Sequence, residues 1–193
     1  MQQGWVDYLS PQLYWRIDAP NQSYPVLLNW WAENNSKQRH LYPGNNLAQL
    51  KGNAWELAEI ERQVEITRQL SPQLVLGNLF FSMDALTQNH QGVADRFRTV
   101  TYRLPALAPT LPWLTASPPP LPTGIKASTG KLTWNPASAE VRSWTLYEKL
   151  GERWALKQIL PAGVREAIVP PGTYAIGAVN RLAQESTAVV VVL

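Results

Sequence analysis

A chain of 193 residues with 45% hydrophobic and 16% charged side chains can bury a core and carries too little charge for a disordered tail. Its net charge of +3 comes from scattered Lys and Arg rather than a basic block, so counterion-release binding to nucleic acid has little support. With no cysteine there is no disulfide framework, thiolate metal site or thiol nucleophile, and no apolar run reaches the roughly 18 to 20 residues that span a bilayer, so no membrane insertion is expected.

The opening MQQGWVDYLSPQ has neither a basic n-region nor an apolar h-region, and no secretory signal is expected there. WVDYLSPQLYW begins as a strand. A helix follows near residues 24–35: Pro25 suits its first turn, Val26, Leu27, Trp30 and Trp31 supply an apolar face, and Asn34 and Asn35 suit its end. Consecutive helix positions project about 100° apart, so at least one of Trp30 and Trp31 is expected to pack on the sheet.

A short strand at residues 39–42 runs into PGNN, which reads as a turn or a ligand-contacting loop. Asn53 and Glu56 have the spacing of a capping pair for the next helix, which lines up Leu57, Ile60 and Val64. Its acids Glu56, Glu59, Glu61 and Glu65 are expected to face solvent, and Ser71 with Pro72 stops it. LVLGNLFFSM, residues 74–83, reads as a buried strand, with a short helix near residues 92–100. Alternating strand and helix patterns of this kind indicate βα units on a parallel sheet.

Residues 104–123 hold seven prolines and can be neither a helix nor a central strand. They are expected to form a stiff, extended connector between residues 1–103 and 124–193. Beyond it come short alternating runs with turns such as LGER and PPGT, the pattern of an antiparallel sandwich of six or seven strands. Trp134 and Tyr174 are natural core and corner residues, with the Tyr174 hydroxyl able to tie to nearby backbone. Trp113, Trp144 and Trp154 read either as a sugar platform or as core and interdomain packing.

WVDYLSPQLYW, LLNWWAEN, RHLYPGN and FFSMDAL, in that order, resemble the last third of the glycosyl-hydrolase-like family 10 barrel, also called domain of unknown function 187. TWNPASAEVRSWTLYEK and PPGTYAIGAVNRLAQES resemble the fibronectin type III-like tail of some members. Together these stretches cover nearly the whole chain. The resemblance implies an α/β plus β fold: the last three βα units of a (β/α)8 TIM barrel, then a fibronectin type III-like antiparallel β-sandwich. It implies kinship with bacterial envelope enzymes that cut glycan strands, some of them on peptidoglycan, with a polysaccharide or glycan strand as partner and a parent at the cell envelope or outside the cell. A full barrel needs about 250 residues, so the N-terminal barrel half is expected to lie outside this chain.

Glycoside hydrolysis needs two carboxyl groups flanking the bond, and few candidates exist here. Asp7, in the first strand run, reads as an acid or base or else as a hydrogen-bonded structural acid; Asp84 suits a turn or cap. The resemblance implies a principal acid on an earlier strand, so the chain is expected to be inactive by itself. The alternative is a non-catalytic carbohydrate-binding or protein-interaction module. Barrel enzymes build their sites at the C-terminal ends of strands, which singles out Gln12, Tyr14 and Trp15, then Tyr42 and Asn45. Aromatic rings cover the C–H face of a pyranose while an amide serves its hydroxyls, although the same rings could simply cover a rim. His40 and His90 lie far apart in sequence, Ser82 lacks a nucleophile elbow and no glycine-rich phosphate cradle is present, so no metal or cofactor is expected.

Overall fold

In the computed structural model, which describes residues 3–136 and 138–193, the chain divides into the units Met1–Arg103 and Leu104–Leu193. The first runs β1 (Tyr8–Leu9), α1 (Tyr24–Glu33), β2 (His40–Leu41), β3 (Gly44–Asn46), α2 (Leu57–Gln69), β4 (Leu79–Phe81), α3 (Met83–Thr87) and α4 (Val93–Arg96). β1 pairs with β2 and β3 with β4, all in parallel, and the bridges Gln12–Gly44 and Leu41–Val75 join them into three parallel strand segments in chain order. PGNN is therefore ladder rather than turn. Pro43 offers no N–H and breaks the middle segment, but its carbonyl accepts from Leu79 N (3.0 Å), and Gly44 N donates to Pro11 O (2.8 Å).

α1 starts at Tyr24 with Pro25 in its first turn and ends where the Asn34 amide donates to Trp30 O (2.8 Å). Tyr24 and Leu28 are fully buried with Leu13, Leu41 and Val75; Trp31 packs on this core, while Trp30 stays 54% exposed. α2 buries Ile60 and Val64 as its spacing predicts, but Gln63 and Thr67 are buried beside them. The expected Asn53–Glu56 cap does not form. Instead Gln91, far along the chain, accepts from Leu57 N (3.0 Å) and donates to Leu50 O and Trp55 O. Glu59 also departs from expectation: it is half-buried and accepts from Ile17 N (2.8 Å).

LVLGNLFFSM is buried on one side only. Val75 and Phe80 enter cores against the helices, whereas Leu79 and Phe81 are 47% and 54% exposed on the opposite face. Between the Leu41–Val75 bridge and the Gly44–Leu79 pair the register slips by one residue, and beyond that slip period-two alternation turns Phe80 in and Leu79 and Phe81 out; an apolar run by itself does not say whether both faces are covered.

The second unit contains β5 (Thr123–Ser128), β6 (Lys131–Asn135), β7 (Ser143–Leu150), β8 (Arg153–Pro161), β9 (Glu166–Ile168), β10 (Thr173–Val179) and β11 (Val189–Val192). Two antiparallel sheets result, β5-β6-β9 and β11-β10-β7-β8. Their inner faces share one core, in which Trp134 of β6 meets Trp144 of β7 edge-on at 6.0 Å. Tyr174 is fully buried and its hydroxyl donates to Pro170 O (2.9 Å), fixing the turn into β10. The proline-rich segment is not a free connector. Asn180 and Gln184 side chains donate to Ser117 O (3.1 Å) and Ala116 O (3.0 Å), holding its distal part to the sandwich.

Candidate functional site

Parallel strands bring their carboxyl ends to one edge, and there the first and third segments present aromatic rings side by side. Gln12 bridges Gly44 and is exposed; two residues on, Tyr14 stacks on Phe81 with centroids 5.7 Å apart and planes at 29°. The Tyr14 ring lies over the middle strand at Gly44, where an added Cβ would sit 3.5 Å from the ring, an ordinary van der Waals contact. Trp15, 38% exposed, and Met83, 68% exposed, flank the pair in sequence. Partial burial raises the Tyr14 phenol pKa, keeping it a neutral hydroxyl.

The loop that carries Tyr14 and Trp15 is held from beneath by buried polar groups. Gln63 donates to Trp15 O (3.1 Å) and to Glu59 Oε1 (2.9 Å), which in turn accepts from Ile17 N. Asn45 donates to Gln63 Oε1 (2.8 Å) and accepts from Asn78 (2.8 Å), and Asn78 reaches Thr67 (3.0 Å), whose hydroxyl is 2.7 Å from that of Tyr24. Asn45 is therefore not at the rim. It is fully buried on the helix side with its amide occupied, because β3 continues the strand and points position 45 inward.

Tyr42 lies further down, against Tyr8 (5.5 Å, edge-on), with its hydroxyl 3.3 Å from His40 Nδ1. Gly77 makes room for its ring, since a Cβ there would come within 3.3 Å. Burial, then the neighbouring Tyr8 phenol, raises its pKa. The structure thus gathers Gln12, Tyr14 and Trp15 at one edge, adds Phe81, and separates them from Tyr42 and Asn45. Alternation from Gly77 onward was the available signal for Phe81.

Asp7 is exposed just before β1, and its carbonyl accepts from His40 N (3.3 Å). This is the amino end of the strands, whereas Asp84 follows the carboxyl end of β4 and lies 3.5 Å from His90 Nε2. At about 3.3 Å per residue the two acids are on the order of 20 Å apart along the strands, beyond the roughly 9.5 Å that an inverting pair tolerates. Among the described residues no cluster of three or more His, Asp or Glu could hold a metal ion, and no helix is long and apolar enough to cross a membrane.

No family model matches the chain. It is 37% identical over 137 residues to Glycosyl hydrolase YngK of Bacillus subtilis (strain 168), an alignment covering 68% of this chain and 26% of that protein. The chain is homologous to a glycosyl hydrolase. It spans about a quarter of that relative's length. Among solved structures it is similar to the Spr0440 glycoside hydrolase domain, Endo-D, from Streptococcus pneumoniae R6 (TM-score 0.29, 15% identity, 40% of this chain and 15% of that one). It is also similar to a beta-1,2-glucanase from Parabacteroides distasonis (TM-score 0.31, 15% identity, 45% and 14%).

Proposed function

We propose that the chain is the carboxy-terminal portion of a glycosyl-hydrolase-like family 10 protein and binds a glycan strand across the edge formed by Gln12, Tyr14, Trp15 and Phe81. The stacked, accessible Tyr14–Phe81 pair beside an exposed amide carries this reading, because it offers a sugar a flat apolar surface and a two-way hydrogen-bonding group. Three parallel strands with α1 and α2 packed on one face support a share of a (β/α)8 barrel. The sheet orders β5-β6-β9 and β11-β10-β7-β8, with the Tyr174 corner, support a fibronectin type III-like sandwich. The parent would act on bacterial envelope or other polysaccharide, at the envelope or outside the cell.

Turnover in this reading needs a carboxylate from barrel strands that this chain does not contain, a view supported by the separation of Asp7 and Asp84. The purified chain should bind neutral chito-oligosaccharide without releasing reducing ends. Tyr14→Ala with Trp15→Ala should weaken that binding roughly tenfold in calorimetric titration. Equal affinity in the double variant, or hydrolysis abolished by Asp7→Asn, would overturn the proposal. A sandwich-based binding module is favoured by one observation, the 43% exposure of Trp154 on the β7–β8 hairpin. Loss of binding in Trp154→Ala, with the rim variant unaffected, would select it.

A further inference from the structure

Residues 139–142 before β7, Ala162 after β8 and residues 180–182 after β10 come together in the sandwich unit. An open cleft of about 630 Å³ lies among them, lined by Glu140, Arg142, Ala162, Asn180 and Arg181 together with short apolar neighbours. Clefts of this size suit small ligands or a few residues of a polymer. Arg142 and Arg181 are both exposed, and neither guanidinium has a hydrogen-bond or ion-pair partner among the described residues. Nearby Arg165 makes a useful contrast: it donates to Ala162 O and Val164 O and lies 5.3 Å over the Trp144 ring, so it is committed to the fold.

The backbones that carry the two unpaired arginines are fixed. Arg142 N donates to Val179 O (2.8 Å), and Arg142 O accepts from Ala162 N (3.1 Å). Asn180 holds the other turn, accepting from Leu182 N (2.9 Å) and Gln184 N (3.0 Å) while donating to Gln184 Oε1 (2.9 Å). Two like charges, with Glu140 the one carboxylate among the described residues that line the cleft, leave an excess positive charge there. Planar guanidiniums bind carboxylate and phosphate oxygens through paired, charge-assisted hydrogen bonds.

We propose that this cleft binds an anionic polysaccharide, with Arg142 and Arg181 taking carboxylate or phosphodiester groups that a neutral glycan lacks. The choice of a polysaccharide rests on the glycan reading above; the anion preference does not. A nucleic acid is the weaker fit, since affinity for it grows with the number of phosphates neutralised and this site offers two cations beside an acid.

The test titrates the whole chain with four ligands: an oligogalacturonate, a glycerol-phosphate oligomer, a neutral chito-oligosaccharide and single-stranded DNA of matched charge. Wild type is compared with Arg142→Gln/Arg181→Gln and with Tyr14→Ala/Trp15→Ala. At least one acidic oligomer should bind more tightly than the DNA and lose roughly ten- to a hundredfold in affinity in the arginine variant. That variant should keep wild-type affinity for the neutral oligomer, an unchanged unfolding midpoint of the sandwich reports its intact fold, and the acidic oligomer that loses more identifies the preferred charge. Failure of both acidic oligomers to bind, equal binding by wild type and arginine variant, or DNA binding as tight as either oligomer would overturn the proposal. Failure of the rim reading shows separately, as unchanged neutral binding in Tyr14→Ala/Trp15→Ala.

Discussion

The two units bury their sheets in opposite ways. The sandwich encloses an apolar core between its own two sheets, so Trp134, Trp144 and Tyr174 are each almost wholly buried and β10 is buried along nearly its whole length. The parallel unit packs helices on one face and leaves Tyr8, Leu79 and Phe81 exposed on the other, while a polar network of Asn45, Gln63, Thr67 and Asn78 runs beneath the helices. A self-enclosed core makes for stability. A one-sided sheet with its polar groups satisfied from below leaves rings available for a ligand.

The largest expected effect sharpens this contrast directly. Trp144→Ala should cost about 3–5 kcal/mol in denaturant unfolding of the sandwich, whereas Phe81→Ala should cost under about 1 kcal/mol and weaken glycan binding instead. Similar losses for both would erase the distinction. Next in size, Asn45→Ala leaves the buried Gln63 Oε1 without its donor, removes one of the two close acceptors of the Asn78 amide, and should cost about 1–3 kcal/mol. Because Gln63 also holds Trp15 O, glycan affinity should fall with it. Unchanged stability would show that the network is not structural.

Tyr174→Phe removes the hydrogen bond to Pro170 O and should cost about 0.5–1.5 kcal/mol, read as a shift of the unfolding midpoint with the slope preserved. The smallest effect is alkaline. Burial, then the Glu185 carboxylate 3.0 Å away, pushes the Tyr147 phenol up from 10.0 to about 12. The folded state favours the neutral phenol, so its contribution is complete below pH 10 and is lost as pH rises through 12. Unfolding midpoints should fall across that window, and less steeply in Tyr147→Phe. Identical profiles would contradict the assignment.

Much of this architecture is legible in the residues because it follows local rules. Pro25 and Asn34 bound α1, Ile60 and Val64 mark the buried stripe of α2, and the short alternating runs after Gly124 become seven strands. Tyr174 sits where a corner tyrosine belongs. What escapes depends on partners distant in sequence. PGNN has turn composition yet pairs with Pro11 on one side and Leu79 on the other. Asn45 looks like a loop ligand until Gln63 and Asn78 are placed around it, and Glu59 looks solvated until Ile17 N reaches it. Gln91 caps α2 across a separation of 34 residues, which no local motif reports. At the candidate site Gln12, Tyr14 and Trp15 are readable from their place at a strand end, whereas Phe81 is hidden in an apolar run whose exposed side only the fold reveals.

Glycan binding at the carboxyl edge of the parallel strands is tested most directly by amide chemical-shift mapping during titration with a neutral chito-oligosaccharide. Shifts should concentrate at residues 12–15 and 81–84 and spare residues 142 and 181. Saturable binding that moves the sandwich or the outer helix faces, with residues 12–15 and 81–84 unmoved, would contradict it.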